Sequence, residues 1–382
     1  LLISIYIWLL IQEKAKIINK EEQRLVEFRG VFISYLEYFN YFNNKNDIEI
    51  KKNINTMISN LSNNNFNSVI LQVRPFSDAI YISDIYPCSY VIKGKEDDKC
   101  TFDILSYFIE QGKIHNIDIY AWINPYRVRS SIDVASISSK NPAYQYLNTN
   151  HVAVTSNGIY YNPASSEVID LIKTGISEII DNYQIAGIVF DDYFYPNETV
   201  DLVSYDYYQK TGGNLSLDQF RYENVNTLVK EIHSLVKAKK LLFGISPQGN
   251  IENNYQNAYA DIKTWLSSED YVDFIMPQIY FGFNNDIKPF YPTLMEWHNL
   301  ISSDVDLIPA LAAYKVGEFD SFAKSGSNEW IENNNILAKQ IVTCRSLNNV
   351  NGFALYRYDF LFNENLFNEN TYKELDNLYN IL

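Results

Sequence analysis

The segment 187–196, GIVFDDYFYP, runs from an apolar stretch into two adjacent carboxylates and an aromatic cluster. Neighbouring side chains of an extended strand point to opposite sides, so only one of Asp191 and Asp192 can look into the mouth of a closed sheet. A carboxylate placed there can act as nucleophile, base or acid. Asp191 is the expected nucleophile, and Asp192 a bracing or substrate-binding carboxylate. The plainer alternative is that both cap the turn that follows, a common use of Asp. Cleaving a glycosidic bond requires two carboxyl groups, one protonated for the leaving oxygen and one as nucleophile or base. Glu37, at the end of the first apolar run, is a candidate for the acid, with a plain salt bridge as its competing role.

The ends of the other apolar runs carry further polar and aromatic groups. They supply Gln72, Arg74 and Asp78, then Trp122, Asn124, Tyr126 and Arg127, then Ser246 and Gln248. Tyr193 follows the acidic pair, and Gln278, Tyr280, Tyr314, Lys315, Arg357 and Asp359 come later. Amides, carboxylates and guanidinium groups hydrogen-bond sugar hydroxyls, and Trp or Tyr offers a flat apolar body with a polar tip. Arg74 either binds a carboxylate on the substrate or, the favoured reading, pairs with Glu37 across the mouth, and Trp122 competes between platform and core. His151, in a long insertion, is either a general acid or a solvated loop residue. No HExxH, GxGxxG, Walker or GxSxG sequence occurs, so no metal or cofactor is called for.

Eight short runs rich in β-branched and aromatic residues carry these groups, at 30–36, 68–73, 117–123, 186–190, 241–245, 273–279, 307–312 and 352–356. Runs of this length read as strands buried on both faces. Amphipathic stretches at 48–61, 102–115, 166–183, 217–236, 259–267, 289–301, 328–348 and 370–382 alternate with them. That alternation predicts an α/β fold, a (β/α)₈ TIM barrel, with long loops after strands three (125–163) and four (193–216). A doubly wound sheet is the alternative, but the first turn lacks glycine.

The chain has 382 residues, 47% hydrophobic and 20% charged, which excludes a disordered protein. Its net charge of −15, with no basic stripe, argues against nucleic acid as a partner. Residues 1–11, LLISIYIWLLI, read as the core of a truncated signal peptide or membrane anchor. Residues 1–27 are therefore set apart from a barrel domain at 28–382, and an exported, extracellular or surface-anchored protein is expected. Cys88 and Cys100 flank a polar stretch and are either a disulfide or two separate thiols, while Cys344 reads as a core residue.

The segments RGVFISYLEY, LQVRPFSDAIY, AWINPYRV, NGIYYNP, GIVFDDYFYP, FGISPQGNIENNY, DFIMPQIYFGF and LAAYKVG together resemble the glycosyl-hydrolase-like family 10, a bacterial group of (β/α)₈ glycosidases. The resemblance runs from about residue 29 to 359. It implies a cell-wall glycan substrate, in particular peptidoglycan strands without their peptides. A more distant similarity to α-amylase-type and α-galactosidase-type barrels implies an aspartate nucleophile at the end of strand four, which falls on Asp191. Gln72, Arg74, Asp78, Asn124, Tyr126, Arg127, Asn162, Asp192, Tyr193, Gln278, Tyr280 and Lys315 fall on motif positions implied to line the cleft. The resemblance supplies no acid: Asp192, Glu37, Glu252 and Asp359 stay open. A non-catalytic glycan-binding barrel is the competing function.

Overall fold

The computed structural model describes residues 26–96, 99–196 and 199–382. The apolar run proposed as a signal or anchor lies outside the described residues. Barrel strands are β1 (Phe28–Ile33), β2 (Ser68–Arg74) and β3 (Asp118–Ile123). A side sheet of β4 (Arg127–Arg129), β5 (Val152–Thr155) and β6 (Gly158–Tyr161) follows. The barrel resumes with β7 (Gly187–Phe190), β8 (Leu242–Ile245), β9 (Phe274–Ile275), β10 (Asp306–Leu307), β11 (Ala310–Ala312) and β12 (Gly352–Tyr356).

All neighbours in the main sheet are parallel, in the order β10-β9-β8-β7-β3-β2-β1-β12-β11. β10 and β11 are the two halves of the seventh strand. β10 pairs with β9 and β11 with β12, which closes the ring. Pro309 separates the halves because it has no N–H for the ladder, yet its carbonyl still accepts from Ala354 N at 3.0 Å. Helices pack outside this ring, so the fold is the expected (β/α)₈ barrel.

Alternation along the strands makes two apolar layers. Phe32, Ile70, Tyr120, Trp122, Val189, Phe274, Met276, Ile308, Ala310 and Ala354 fill the barrel interior. The opposite faces join the helices in the larger core, as with Ile188 on β7 against Ile176 and Ile179 of the helix Ser166–Asn182. Burying apolar area at roughly 25 cal/mol per Å² makes these two layers the main source of stability.

Three expected boundaries differ. The first strand stops at Ile33 rather than reaching residue 36. Ser34 and Glu37 form a capping box that starts the helix Tyr35–Tyr41, and this local signal overrides the apolar run. The last-but-one helical stretch splits into Glu329–Glu332 and Ile336–Arg345 across three asparagines. The run 273–279 contains Pro277, and only two of its residues pair as regular strand. The insertion after strand three holds the antiparallel sheet β4-β6-β5, and the insertion after strand four holds the helix Leu202–Lys210. Cys88 and Cys100 are joined by a disulfide, and Cys344 is a buried free thiol.

Candidate active site

Two residues beyond the inward-facing Val189, alternation turns Asp191 into the barrel mouth. It sits in a cavity of ≈ 340 Å³ lined by Phe32, Leu36, Trp122, Asp191, Asp192, Tyr193, Ser246, Gln278, Tyr280, Tyr314, Tyr356, Arg357 and Phe360. The wall is largely aromatic. Tyr280 stacks on Tyr356 with ring centres 5.7 Å apart, and Tyr314 meets both edge-on. Phe32 meets Trp122 edge-on at 5.6 Å.

Asp191 is 3% exposed, and its two oxygens accept from Trp122 Nε1 at 3.2 Å and from the Tyr193 amide at 3.3 Å. Burial, followed by the neighbouring Asp192 charge, pushes the Asp191 carboxyl up to about 8, against the pull of the Tyr193 amide, the Arg127 guanidinium and the Trp122 N–H. Burial also raises Asp192, opposed by hydrogen bonds from Gln278 and Gln248 and by Arg127. The two adjacent carboxyls, Asp191 buried and Asp192 half-buried, are coupled, and the raised Asp191 group favours its protonated form at neutral pH.

Of the residues expected to line the cleft, Trp122, Asp191, Asp192, Tyr193, Gln278 and Tyr280 do so. Arg127 lies at the rim, with its guanidinium carbon 5.1 Å from the Tyr193 ring centre. The rest serve as support. Gln72 donates to Asn124 Oδ1 at 2.8 Å and accepts from the Tyr35 amide, so both amides form a buried brace. Asn162 staples the insertion through Asn150 O, Ser204 Oγ and the Ala164 amide. Tyr126 is fully buried. Lys315 Nζ is taken by Asp320 at 2.7 Å. Asp78 is buried behind the sheet, accepts from the Tyr90 amide and faces Arg129 at 3.8 Å. His151, outside the cavity lining, shares a hydrogen bond with Ser165.

Two expectations need correction. Arg74 does not pair with Glu37. The register of β2 against β3 shifts between Gln72 and Arg74, so Arg74 leaves the inward row and stacks on Tyr86 at 4.2 Å. Glu37 does not end a strand and does not line the cavity. It accepts from Ser34 N and Oγ, pairs with Arg357, and also faces the Asp359 amide. Its burial raises its pKa, opposed by Arg357 and Ser34. Glu37 and Asp359 hold Arg357 against the cavity wall.

Leu36, Phe32, Tyr356 and Phe360 also line the cavity and went unremarked in the sequence. For Phe32 and Tyr356 the signal was present, since each lies on the inward row of its strand with Ala354 two residues before Tyr356.

The model of the glycosyl hydrolase-like 10 family matches residues 27–328 of this chain. The chain belongs to that family. Among curated relatives, the glycosyl hydrolase YngK of Bacillus subtilis is 33% identical over 295 residues, covering 70% of this chain and 56% of YngK. The chain thus spans little more than half of that relative's length. The glycosyl hydrolase DigH of Escherichia coli K12 is 27% identical over 323 residues, covering 77% of this chain and 72% of DigH. The glycoside hydrolase domain of PgaB (BpsB) from Bordetella bronchiseptica shares the fold at a TM-score of 0.58 and 14% identity, covering 92% of this chain and 99% of that domain. The catalytic domain of β-amylase from Paenibacillus polymyxa shares it at 0.53 and 11% identity, with 93% and 99% covered. In (β/α)₈ barrel enzymes the C-terminal mouth is where active sites are built, and there the acidic pair and its aromatic wall converge.

Proposed function

We propose that this protein is a glycoside hydrolase cleaving O-glycosidic bonds in a bacterial cell-wall or related polysaccharide, with peptide-free peptidoglycan strands as the leading substrate. One observation carries the reading: a buried Asp191 carboxyl, raised to about 8 beside the half-buried Asp192, inside an aromatic-walled cleft. Aromatic faces suit the C–H faces of sugar rings, and Gln278, Ser246 and Arg357 are the polar groups that fix hydroxyls.

The protonation of the pair revises the role expected for Asp191. A carboxyl held protonated at neutrality is equipped to donate to the leaving oxygen, as the acid in glycoside cleavage must. Asp191 is therefore the proton donor in this proposal. Asp192, hydrogen-bonded by Gln278 and Gln248, is the anionic partner facing the positive charge that develops at the anomeric carbon.

The family's curated relatives carry the name glycosyl hydrolase, which supports catalysis. The Cys88–Cys100 disulfide supports an exported, oxidising location for the barrel. A non-catalytic glycan-binding barrel is the second reading. It draws on the fact that, among the described residues, the cavity lining has no carboxyl facing the pair from another strand. Incubating the barrel and its Asp191→Asn variant with peptide-free peptidoglycan strands separates the two. Cleavage by wild type that is lost in the variant supports the hydrolase. Undiminished strand binding by both proteins without any cleavage supports the binding barrel.

A further inference from the structure

Of five cations around the barrel mouth, three are neutralised by carboxylates of the chain itself, and Arg74 and Arg127 are not. Arg357 is held by Glu37 and Asp359, Arg129 by Asp78 and Glu96, and Lys315 by Asp320. Arg74 is sealed behind the sheet against Tyr86. Arg127 alone of this group sits at the rim without hydrogen-bonded or ion-paired partners among the described residues, and its Nε is buried and unsatisfied.

Its position is nonetheless built. Arg127 starts β4, which pairs with β6 at Tyr160. Three rings surround its guanidinium carbon, with centres at 4.8 Å for Phe76, 5.1 Å for Tyr193 and 5.7 Å for Tyr35. Such a cage fixes the plane of the guanidinium and excludes water from its faces, leaving its edge as the place for hydrogen bonds. Tyr193 belongs to the cavity lining, so the cage that holds Arg127 stands beside the cleft. The Arg127 charge is felt by both Asp191 and Asp192.

A preset guanidinium with no hydrogen-bonded or ion-paired partner among the described residues, only the more distant charges of the acidic pair, is poor value as a stabilising element. It costs desolvation and returns no salt bridge. The same group is well suited to receive a planar anion from outside, through paired N–H donors. We propose that Arg127 is a specificity-determining residue that binds a carboxylate carried by the glycan substrate next to the bond being cleaved. The substrate class is then an acidic glycan, bearing either an ether-linked lactyl group or a uronic acid. This inference rests on the glycosidase reading given above.

Four substrates test it: peptide-free peptidoglycan strands, a uronic-acid oligosaccharide, and the twin of each with its carboxyl groups reduced to alcohols. For wild type, kcat/KM should be at least about tenfold higher on a carboxylate-bearing strand than on its reduced twin. In Arg127→Gln that preference should fall to about one, whatever the absolute loss, and Arg127→Lys should keep only part of it because an ammonium lacks the fork. Arg127-dependent preference on the uronic-acid arm alone would assign the carboxylate to a uronate instead of a lactyl ether. Equal wild-type turnover of native and reduced forms on both the peptidoglycan and the uronic-acid arm overturns the proposal, and so does a preference that survives in Arg127→Gln. An Arg127 that served only the acidic pair would depress both substrates alike and leave the wild type without a preference.

Absence of cleavage on every arm would reject the glycosidase reading separately. Equilibrium binding of native and reduced strands would then decide this one: a wild-type affinity preference abolished in Arg127→Gln upholds it, and equal affinities overturn it.

Discussion

Trp122 Nε1, on the third barrel strand, donates to Asp191 Oδ2 on the fourth at 3.2 Å. Asp191 lies just past the end of the fourth strand beside the inward-facing Trp122, and the indole supplies both cleft wall and a donor to its carboxylate. That hydrogen bond favours the ionised form of Asp191. Trp122→Phe keeps an aromatic surface and removes the donor. The expected result is an alkaline limb of the kcat/KM profile displaced to higher pH. A pH–rate profile with an unmoved limb would show that the indole acts through packing alone.

Wild-type activity should decline as pH rises through about 8, the value to which burial and Asp192 push Asp191, because the donor is then lost. Asp191→Asn should reduce kcat by about 10²–10⁴-fold, the usual contribution of a positioned acid or base. A pH series of initial rates checks both.

The same raised pKa has a stability consequence. An unfolded Asp titrates near its ordinary value of 3.8, while the folded carboxyl binds its proton up to about 8. The folded state therefore holds more protons in that window, and its stability falls as pH rises through it. Asp191→Asn removes this penalty. Its Tm should exceed wild type by a few degrees at pH 8, a difference that shrinks toward pH 4. Thermal melts at the two pH values are sufficient.

Glu37 supports the cavity wall through Arg357. Its carboxylate caps a helix start at Ser34 and pairs with Arg357, whose side chain borders the cavity. Glu37→Ala should cost about 3–5 kcal/mol, the range for breaking a buried pair and stranding its partner. Denaturant unfolding measures it. A loss below about 1 kcal/mol, as at exposed pairs, would contradict the burial of this pair.

Gly175 tests the placement of Arg74. A Cβ added there would stand 2.2 Å from Arg74 Nη1 and 2.7 Å from a Tyr86 ring carbon. Gly175→Ala should therefore destabilise the protein by about 1–3 kcal/mol through overpacking. An Arg74 that pointed into the mouth would leave that space open, and the substitution would then be neutral or stabilising on helix propensity.

Much of this was legible in the sequence because a buried parallel barrel repeats one local pattern eight times. Asp191 follows from Val189 by simple alternation, and the same count from Ala354 reaches Tyr356. Arg74 escaped because a register shift after Gln72 breaks the count, and nothing in LQVR announces it. Glu37 was misplaced although its own S-x-x-E box was readable, because an apolar run continues through that box. The partner of Glu37 was hidden for a different reason: Arg357 lies 320 residues away, and only ring closure brings them together.

The disulfide has a reach beyond its own loop. Glu96, inside the Cys88–Cys100 segment, pairs with Arg129 and accepts from the Ser138 amide and from Asn141 Nδ2. One covalent staple thus guys the side sheet on which Arg127 stands, while the barrel strands are laced without it. Synthesis and arming become separable events: a reduced chain can finish its barrel yet carry a slack rim. Hydrogen exchange before and after mild reduction should show protection falling across 127–161 while the barrel strands keep theirs. The order of the rim beside the cleft is then tied to the oxidation state of one cysteine pair, separately from the barrel itself.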